Sequence, residues 1–321
     1  MKGEFVMSQY CFGIDVGGTT VKIGLFSSEG TVLEKWEIPT RKENDGSNII
    51  PDVANAVLKK MEEKKIEKDA VIGVGIGVPG AVDDAGVVHR AVNLGWDVID
   101  IHHELGNLLQ MPVKAANDAN VAALGEMWRG GGEGCLNMVL ATIGTGVGGG
   151  IIVDGKMITG ATGAGGEIGH IHLVDDEPDT CGCGNHGCLE QYASATGIVR
   201  IAKRKLAATQ SDSSLRKDLE NGTLSAKAVF DAVKAGDTVA CEIAEEFGSY
   251  LGKGLAAIAG VVNPEVFVLG GGVSKAGEIL CTYVSKYYQK YVFHASKEAQ
   301  FKLAKLGNDA GIYGAAKLIL D

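Results

Sequence analysis

The chain is poor in proline, positive charge and long hydrophobic runs. It has only 6 prolines, and its glycines follow no three-residue period, so it is neither collagen-like nor of Pro/Gly-rich low complexity. Its 30 lysines and arginines are outnumbered by 40 aspartates and glutamates, and the net charge of -10 disfavours binding to a nucleic-acid backbone. The apolar stretch 136–153 is interrupted by polar residues and glycines, which argues against a membrane span.

No targeting signal is recognisable at the start of the sequence. Residues 1–10 contain no apolar segment of the roughly 7 to 15 residues that a secretory signal needs. We therefore predict a cytoplasmic protein. In that reducing compartment the seven cysteines are not expected to form disulfides.

Glycine is abundant, and the composition is otherwise that of a globular protein. The chain has 321 residues, 45% hydrophobic and 22% charged, which at roughly 150 residues per domain predicts about two domains. The 47 glycines are about twice the ordinary share and are concentrated in discrete loops.

One short pattern occurs twice. Residues 16–26 and 143–153 each combine the end of an apolar strand, a glycine-rich turn and a returning strand. The repeat predicts two similar α/β domains, 1–133 and 134–308, flanking a cleft. A glycine- and cysteine-rich insert at 160–190 belongs to the second domain, and the last helix, 309–320, is able to pack back on the first.

The glycine turns are candidate phosphate-binding loops. Bare backbone N–H groups can approach a polyphosphate closely, and threonine hydroxyls add donors. Asp15, beside the first loop, is a candidate Mg²⁺ ligand, directly or through water, and Lys22 is either directed at the phosphates or solvated. A third loop lies between a buried strand and a helix, which suits an anion or the ribose and base of a nucleotide. The loop residues are Gly17, Gly18, Thr19, Thr20, Gly144, Thr145, Gly146, Gly270, Gly271 and Gly272.

A dinucleotide-binding fold is the rival interpretation. Residues 75–80 fit the spacing G-x-G-x-x-G after a strand. That signature requires a helix to begin there, whereas residues 81–88 are typical of a hairpin. A P-loop sequence is absent.

Three cysteines within eight residues predict a metal site. Cys181, Cys183 and Cys188 offer three soft ligands in one loop, and a fourth ligand completes a closed tetrahedral site for structural Zn²⁺. Spacing alone allows His170, His172 or His186 as that ligand. A redox role is disfavoured because no C-x-x-C is present.

Several motifs, in order along the chain, resemble those of the ROK family (repressors, open reading frames and kinases). The resemblance runs from about residue 15 to residue 314 and is most marked toward the bacterial glucokinases, at 93–96 and 117–120. The motifs are Asp15-x-Gly17-Gly18-Thr19-x-x-Lys22, Glu167-Ile168-Gly169-His170 and Cys181-x-Cys183-Gly184-x-x-Gly187-Cys188-x-Glu190.

The resemblance implies an actin-like ATPase (ribonuclease H-like) fold with a zinc-binding insert. It also implies ATP- and Mg²⁺-dependent phosphorylation of a hexose, glucose above all, at its 6-hydroxyl, as in glycolysis. Asp118 would be the general base. His170 would place one ring nitrogen on zinc and direct the other toward the sugar. The sugar-binding residues implied are Asn117, Asp118, Glu167, His170 and Glu190, with Gly80 and Asn93 as weaker candidates.

The sequence also allows other functions within the same family. A family repressor would need a DNA-binding module before the first strand, and about nine residues cannot hold a helix-turn-helix. A non-catalytic sugar sensor is disfavoured because Asp118 and both phosphate loops are intact. Fructose, mannose or N-acetylmannosamine are alternative substrates, and polyphosphate is an alternative donor. A homo-oligomer, dimer or tetramer, is expected.

Overall fold

The computed structural model describes residues 9–321, and residues 1–8, on which the prediction about a targeting signal partly rests, lie outside them. By its internal contacts the chain divides into two units. The first contains residues 9–134, Lys156–Gly166 and Asn308–Asp321, and the second contains Cys135–Gly155 and Glu167–Gly307. The sequence placed residues 156–166 in the second domain, whereas they group with the first unit. No helix among the described residues has the length and apolar composition to cross a bilayer.

The described residues form 13 strands and 10 α-helices. The strands are β1 (Tyr10–Val16), β2 (Thr20–Ser27), β3 (Val32–Pro39), β4 (Val71–Val78), β5 (Ala81–Val82), β6 (Val87–Arg90), β7 (Ile99–Asp100), β8 (Val113–Asn117), β9 (Met138–Ile143), β10 (Val147–Val153), β11 (Lys156–Met157), β12 (Val266–Gly270) and β13 (Gln300–Leu303). The helices are α1 (Ile49–Lys64), α2 (Ile101–Leu109), α3 (Asp118–Arg129), α4 (Glu190–Ala193), α5 (Ala195–Ala208), α6 (Leu215–Glu220), α7 (Ala226–Lys234), α8 (Thr238–Val262), α9 (Glu278–Tyr291) and α10 (Ala310–Leu320).

The first unit is built on a sheet with the strand order β3-β2-β1-β4-β8. The pairs β1–β2 and β2–β3 are antiparallel, and β1–β4 and β4–β8 are parallel. Strand β4 is buried along almost its whole length, as its sequence VIGVGIGV predicts for a strand covered on both faces. A second, three-stranded sheet has the order β5-β6-β7.

The second unit repeats this arrangement with β10, β9, β12 and β13 in that order. Strand β9 pairs antiparallel with β10 and parallel with β12, and β12 pairs parallel with β13. This is the same pattern as β2-β1-β4-β8. The prediction of two similar α/β folds from the repeated hairpin is therefore confirmed.

The G-x-G-x-x-G spacing at 75–80 leads into a hairpin. Strand β5 follows the last glycine of that spacing and pairs antiparallel with β6, so no helix begins at this turn. The dinucleotide fingerprint is therefore incomplete, because the helix N-terminus that would bind the pyrophosphate is missing. The prediction of a hairpin at 81–88 is confirmed.

Helix α10 packs into the first unit although it lies at the other end of the chain. Side chains of α10, Ile312, Ala316 and Ile319, form a buried cluster with Cys11 and Phe26 of the first sheet. The approach to α3 is so close that a Cβ on Gly314 would lie 1.5 Å from the carbonyl oxygen of Val121. The final helix is thus part of the core of the first unit.

Candidate functional site

The first glycine loop is a tight connection between β1 and β2. The Gly17 N–H donates to the carbonyl oxygen of Thr20 at 3.0 Å, and the hydroxyl of Thr40 donates to the carbonyl oxygen of Gly17 at 2.7 Å. Gly18 and Thr19 are exposed at the tip. Two hydrogen bonds therefore hold the backbone at Gly17, and the tip of the loop is accessible to solvent.

Asp15 lies at the end of β1, directly before this loop. In the β1–β2 register it is paired with Lys22. Burial and the negative charge of Asp118 raise the pKa of Asp15 to about 6, and the charge of Lys22 opposes the shift. The first unit thus brings the carboxylates of Asp15 and Asp118 into electrostatic range of each other.

Lys22 has a partner within its own unit. Its Nζ donates to the carbonyl oxygen of Asn308 at 2.9 Å, just before α10 begins. This contact ties β2 to the segment that leads into α10. The sequence left open whether Lys22 is directed at phosphate, and the interaction observed is with the backbone.

Asp118 is the first residue of α3, and Asn117 caps that helix. The Asn117 Oδ1 accepts hydrogen bonds from the N–H groups of Ala119 and Asn120 at 2.9 and 3.2 Å. The Asn117 Nδ2 donates to the carbonyl oxygen of Gly80 at 3.0 Å, and Oδ1 of Asp118 accepts from the Ala119 N–H at 2.8 Å. The half-buried Asp118 carboxylate is therefore held at a helix N-terminus, where negative charge is favoured.

Asn93 lies on the short 3₁₀ turn Val92–Leu94 and is exposed. The turn ends at Gly95, whose φ of 82° is left-handed. The indole N–H of Trp96 then donates to the carbonyl oxygen of Gly46 at 3.2 Å and holds the chain after the turn.

The second glycine loop joins β9 to β10 and is supported by α5. The Gly144 carbonyl oxygen accepts from the Ala195 N–H at 2.8 Å, and the Thr145 carbonyl oxygen accepts from the Thr196 hydroxyl at 2.5 Å. Glu190 packs against the same loop. A Cβ on Gly146 would lie 2.4 Å from Glu190 Oε2, so a larger residue there would require that carboxylate to move.

The third glycine loop borders a pocket that the sequence did not reveal. Gly270 ends β12, and Gly272 begins a 3₁₀ turn, Gly272–Ala276, ahead of α9. The pocket has a volume of about 320 Å³. Besides the loop, it is lined by residues of α7 and its cap, namely Ser225, Ala226, Lys227, Phe230 and Asp231. These residues carry no motif, and only the fold brings them to the loop.

His170 and the three cysteines of the insert converge in the second unit. One ligand atom from each of His170, Cys181, Cys183 and Cys188 lies within 4.8 Å of the others. The Cys183 and Cys188 sulfurs are 3.7 Å apart, and the Cys181 sulfur is 3.7 Å from His170 Nδ1. In a tetrahedral zinc site with bonds of about 2.3 Å, thiolate sulfurs are about 3.8 Å apart. The donor set and its spacing therefore fit a structural zinc ion.

The structure selects His170 among the three histidines that spacing allowed. His172 is engaged on both ring nitrogens, with the carbonyl oxygen of His186 and with Asp175, each at 2.9 Å. The Nδ1 of His186 contacts the carbonyl oxygen of Glu177 at 3.0 Å. His170 directs Nδ1 into the cysteine cluster, and its Nε2 lies 3.9 Å from Glu167 Oε2.

The thiols of the cluster are not equivalent. Burial raises the pKa of Cys181 to about 12, whereas the backbone N–H of Asn185 lowers the pKa of the exposed Cys183. A divalent ion binds thiolates, so occupation of the cluster would displace the protons that burial favours.

Three candidate sugar ligands lie around this cluster. Glu190 Oε1 is 3.0 Å from the Cys181 sulfur and 3.9 Å from His170 Nδ1, while its Oε2 accepts from the Val147 N–H at 3.4 Å. Glu167 is exposed beside His170. The second unit thus joins its phosphate-loop candidate and its cysteine cluster through the single carboxylate of Glu190.

Two supporting residues of the insert were missed by sequence reasoning. Glu177 is buried and hydrogen bonded to Tyr192 and Arg200. Gln191 accepts from the Cys188 N–H and donates to the carbonyl oxygen of Asp179, at 3.0 and 2.8 Å. An acidic or amide residue in a polar loop has no distinctive pattern, so the sequence does not separate Glu177 from the neighbouring Asp175, Asp176 and Asp179.

Comparison with known proteins covers nearly the whole chain. The ROK family model matches residues 11–321. A glucokinase of Halalkalibacterium halodurans is 43% identical over 310 residues, which are 96% of this chain and 94% of the relative.

Two solved structures share the fold. One is a ROK family glucokinase from Streptomyces griseus in complex with glucose and AMPPNP, with a TM-score of 0.74 and 35% identity over 96% of this chain and 98% of that one. The other is the ROK hexokinase from Thermus thermophilus, with a TM-score of 0.79 and 31% identity over 97% of both chains. The actin-like α/β fold expected from the sequence is confirmed. Because the family model, the relative and both structures agree over nearly its full length, the chain belongs to the ROK family.

Proposed function

We propose that this protein is a glucokinase that transfers the γ-phosphate of ATP to the 6-hydroxyl of glucose. The observation that carries the proposal is the 43% identity to a bacterial glucokinase over 96% of the chain. The solved ROK glucokinase whose fold matches was crystallised with glucose and an ATP analogue. The intact glycine loops and the capped Asp118 supply the chemistry that this reaction needs.

Asp118 is our candidate for the general base. Transfer of a phosphoryl group to a hydroxyl requires a group that accepts the hydroxyl proton as the oxygen attacks the γ-phosphorus in line. Asn117 fixes the start of α3 and so fixes the position of this carboxylate. Asn117 and Gly80, joined by their hydrogen bond, and the exposed Asn93 are the candidate sugar contacts on the first unit.

The three glycine loops are our candidates for the ATP site. Backbone N–H groups and the hydroxyls of Thr19, Thr20 and Thr145 would bind the phosphates. Asp15 would hold the Mg²⁺ that neutralises phosphate charge, directly or through water, since Mg²⁺ prefers carboxylate and phosphate oxygens. We assign the pocket beside Gly272 to the adenosine moiety, because its volume of about 320 Å³ suits a nucleoside and Phe230 lines it.

Glu167, His170 and Glu190 are the candidate sugar ligands on the second unit. Carboxylates accept and imidazole N–H groups donate, which gives directional recognition of hydroxyls. Bound at His170, Cys181, Cys183 and Cys188, zinc would supply a rigid cross-link of the insert and leave no position open for catalysis. His170 would use Nδ1 for the metal, so Nε2 carries the proton and points toward Glu167.

The test is ATP-dependent phosphorylation of glucose, mannose, fructose, N-acetylglucosamine and N-acetylmannosamine, followed by ADP release. We expect the highest kcat/KM with glucose. Asp118→Asn is the control: it should fold and bind sugar but lose about 10²- to 10⁴-fold or more in turnover. A higher kcat/KM with another hexose would replace glucose as substrate, and full turnover by Asp118→Asn would refute the assigned base.

Assembly is inferred from the family resemblance, and location is the prediction made from the sequence. We propose a homo-oligomer, dimer or tetramer, in the cytoplasm. Sedimentation of the purified protein measures its mass directly, and a monomer at micromolar concentration would contradict the proposal.

A further inference from the structure

A buried carboxylate lies at the start of the cysteine loop, in the second unit. Glu177 is 8% exposed, whereas the residues around it in the loop are mostly exposed. Its Oε2 accepts hydrogen bonds from the Tyr192 hydroxyl and from Arg200, and its Oε1 accepts from the Asp179 N–H at 2.9 Å. Although burial opposes it, these donors lower the pKa of Glu177.

The partners of Glu177 belong to the helices that follow the loop. Tyr192 lies in α4 and Arg200 in α5, and the Arg200 guanidinium stacks over the Tyr192 ring at 4.9 Å. The Tyr192 ring in turn stacks on Tyr250 of α8, with ring centroids 4.3 Å apart. Glu177 is thereby connected to the helical core of the second unit.

The same helices carry the residues that close the loop. Glu190, which contacts Cys181, begins α4 two residues before Tyr192. Gln191 bridges the Cys188 N–H and the carbonyl oxygen of Asp179. The loop between 177 and 190 has no regular helix or strand, and glycine occupies three of its positions. Its shape therefore depends on a few backbone hydrogen bonds, such as that from the Cys181 N–H to the carbonyl oxygen of Asn185, and on these side-chain anchors.

We propose that Glu177 is a positioning residue that holds the cysteine loop on α4 and α5 and so preorganises both the metal cluster and Glu190. Loss of its charge would weaken the hydrogen bonds that Arg200 and Tyr192 share at one carboxylate and so loosen one end of the loop. A less constrained loop releases its metal faster, because the ligands are no longer held in the arrangement that binds the ion. The effect on sugar affinity rests on the proposed function, whereas the effect on metal exchange does not.

The experiment compares Glu177→Gln with Glu246→Gln. The control removes a different arginine–glutamate pair, in which Glu246 of α8 contacts Arg204 of α5. Arg204 lies one helical turn after Arg200, and neither member of this pair belongs to the cysteine loop. Zinc-loaded proteins are mixed with a chromogenic chelator, and the release rate, the glucose KM, the kcat and the unfolding temperature are measured. We expect Glu177→Gln to release zinc about tenfold faster or more and to raise KM about tenfold, with kcat changed less than threefold. The control should match the parent in release rate and KM.

Equal release rates for Glu177→Gln and the parent would overturn the proposal, as would an equal acceleration in Glu246→Gln. If Glu177→Gln does not fold, Arg200→Lys replaces it, because lysine retains the charge and loses the two-point contact. Faster zinc release by Arg200→Lys supports the proposal, and an unchanged rate refutes it. If the parent does not phosphorylate glucose, the proposed function fails, and the release rates still decide the role of Glu177.

Discussion

Cys183 differs from the other candidate metal ligands in being exposed. Cys181 and Cys188 are buried and His170 is half-buried, so these three side chains also pack against residues outside the cluster. The sulfur of Cys183 lies 3.7 Å from that of Cys188, and its side chain contributes little to the hydrophobic core. Removal of this thiol therefore isolates the metal contribution from packing.

We predict that Cys183→Ser lowers the zinc content from about one ion per chain and raises the glucose KM, because three ligands hold Zn²⁺ less tightly than four. Metal analysis of the purified protein and steady-state kinetics measure the two effects. Cys135→Ser is the matched control, since Cys135 is a free cysteine outside the cluster. A variant that lacks Cys183 yet keeps both its zinc and its KM would contradict the assignment of this ligand.

At the scale of the element, the long helix α8 depends on its cap. Asp237 Oδ1 accepts from the Ala240 N–H at 3.0 Å, and its Oδ2 accepts from the hydroxyl of Ser213 and the N–H of Ser214, each at 2.8 Å. One carboxylate thus caps a 25-residue helix and fixes the loop before α6. Burial raises the pKa of Asp237, but these donors outweigh it and hold the pKa below its ordinary value.

We predict that Asp237→Ala lowers the free energy of unfolding by about 1 to 2 kcal/mol at pH 7. Because the folded-state pKa is lowered, the extra stability from ionised Asp237 is present above about pH 3.8 and is lost as the pH falls through the folded-state pKa. The difference between the two proteins should accordingly shrink toward pH 3. Urea unfolding of both proteins at several pH values measures this difference in the free energy of unfolding.

Asp212→Ala is the control for this cap. Asp212 is an exposed acid in the loop before α6, to which Asp237 is hydrogen bonded. Its loss should change the free energy of unfolding by less than about 0.5 kcal/mol. An Asp237→Ala protein as stable as the parent at pH 7 would show that the cap does not limit the stability of α8.

At the scale of the whole molecule, the chain ends by returning to the unit in which it began. Helix α10 packs against α3 with no room for a side chain at Gly314, and Gly75 of β4 is as close to α10, since a Cβ there would lie 1.7 Å from the carbonyl oxygen of Ala315. The core of the first unit is therefore completed by the last residues of the sequence.

We predict that Gly314→Ala destabilises the first unit by about 3 kcal/mol or more, because the added methyl group forces α10 away from α3. Gly106→Ala is the matched control. Its Cβ would meet nothing closer than 3.7 Å, so the higher helix propensity of alanine should stabilise α2 by about 0.5 to 1 kcal/mol. The three tryptophans, Trp36, Trp96 and Trp128, all lie in the first unit, and their fluorescence during urea unfolding reports on that unit. Equal midpoints for Gly314→Ala and the parent would show that α10 tolerates displacement.

Local patterns predicted much of the fold. Alternation, apolar runs and Asn117 as a cap predict strands at 10–16, 71–78, 138–143 and 147–153 and a helix at 118–129. Strands β1, β4, β9 and β10 and helix α3 have these bounds. Helix α2 was not predicted, because it is short and lies in a turn-rich stretch. The pattern predicts a helix near 276–291, and α9 begins two residues later because the 3₁₀ turn Gly272–Ala276 precedes it.

The sequence predicted those parts of the candidate site whose residues lie close together along the chain. The three cysteines stand within eight positions, so spacing alone implied a metal, but His170, His172 and His186 were equal in spacing and only their hydrogen bonds separated them. Family resemblance, and not periodicity, pointed to Asp118, Glu167 and Glu190. Their roles stay predictions until the kinetic tests are made.

The sequence by itself determined the repeated hairpins, the glycine loops, the cysteine cluster and the family, because each is a short-range pattern of residue types. Only the tertiary structure decided that Lys22 contacts the Asn308 backbone, that α7 lines the pocket at Gly272 and that Glu177 is buried against Tyr192 and Arg200. The physical reason is that these contacts join residues brought together by the packing of separate elements. Hydrogen bonding and burial depend on distance in space, which no pattern along the chain records.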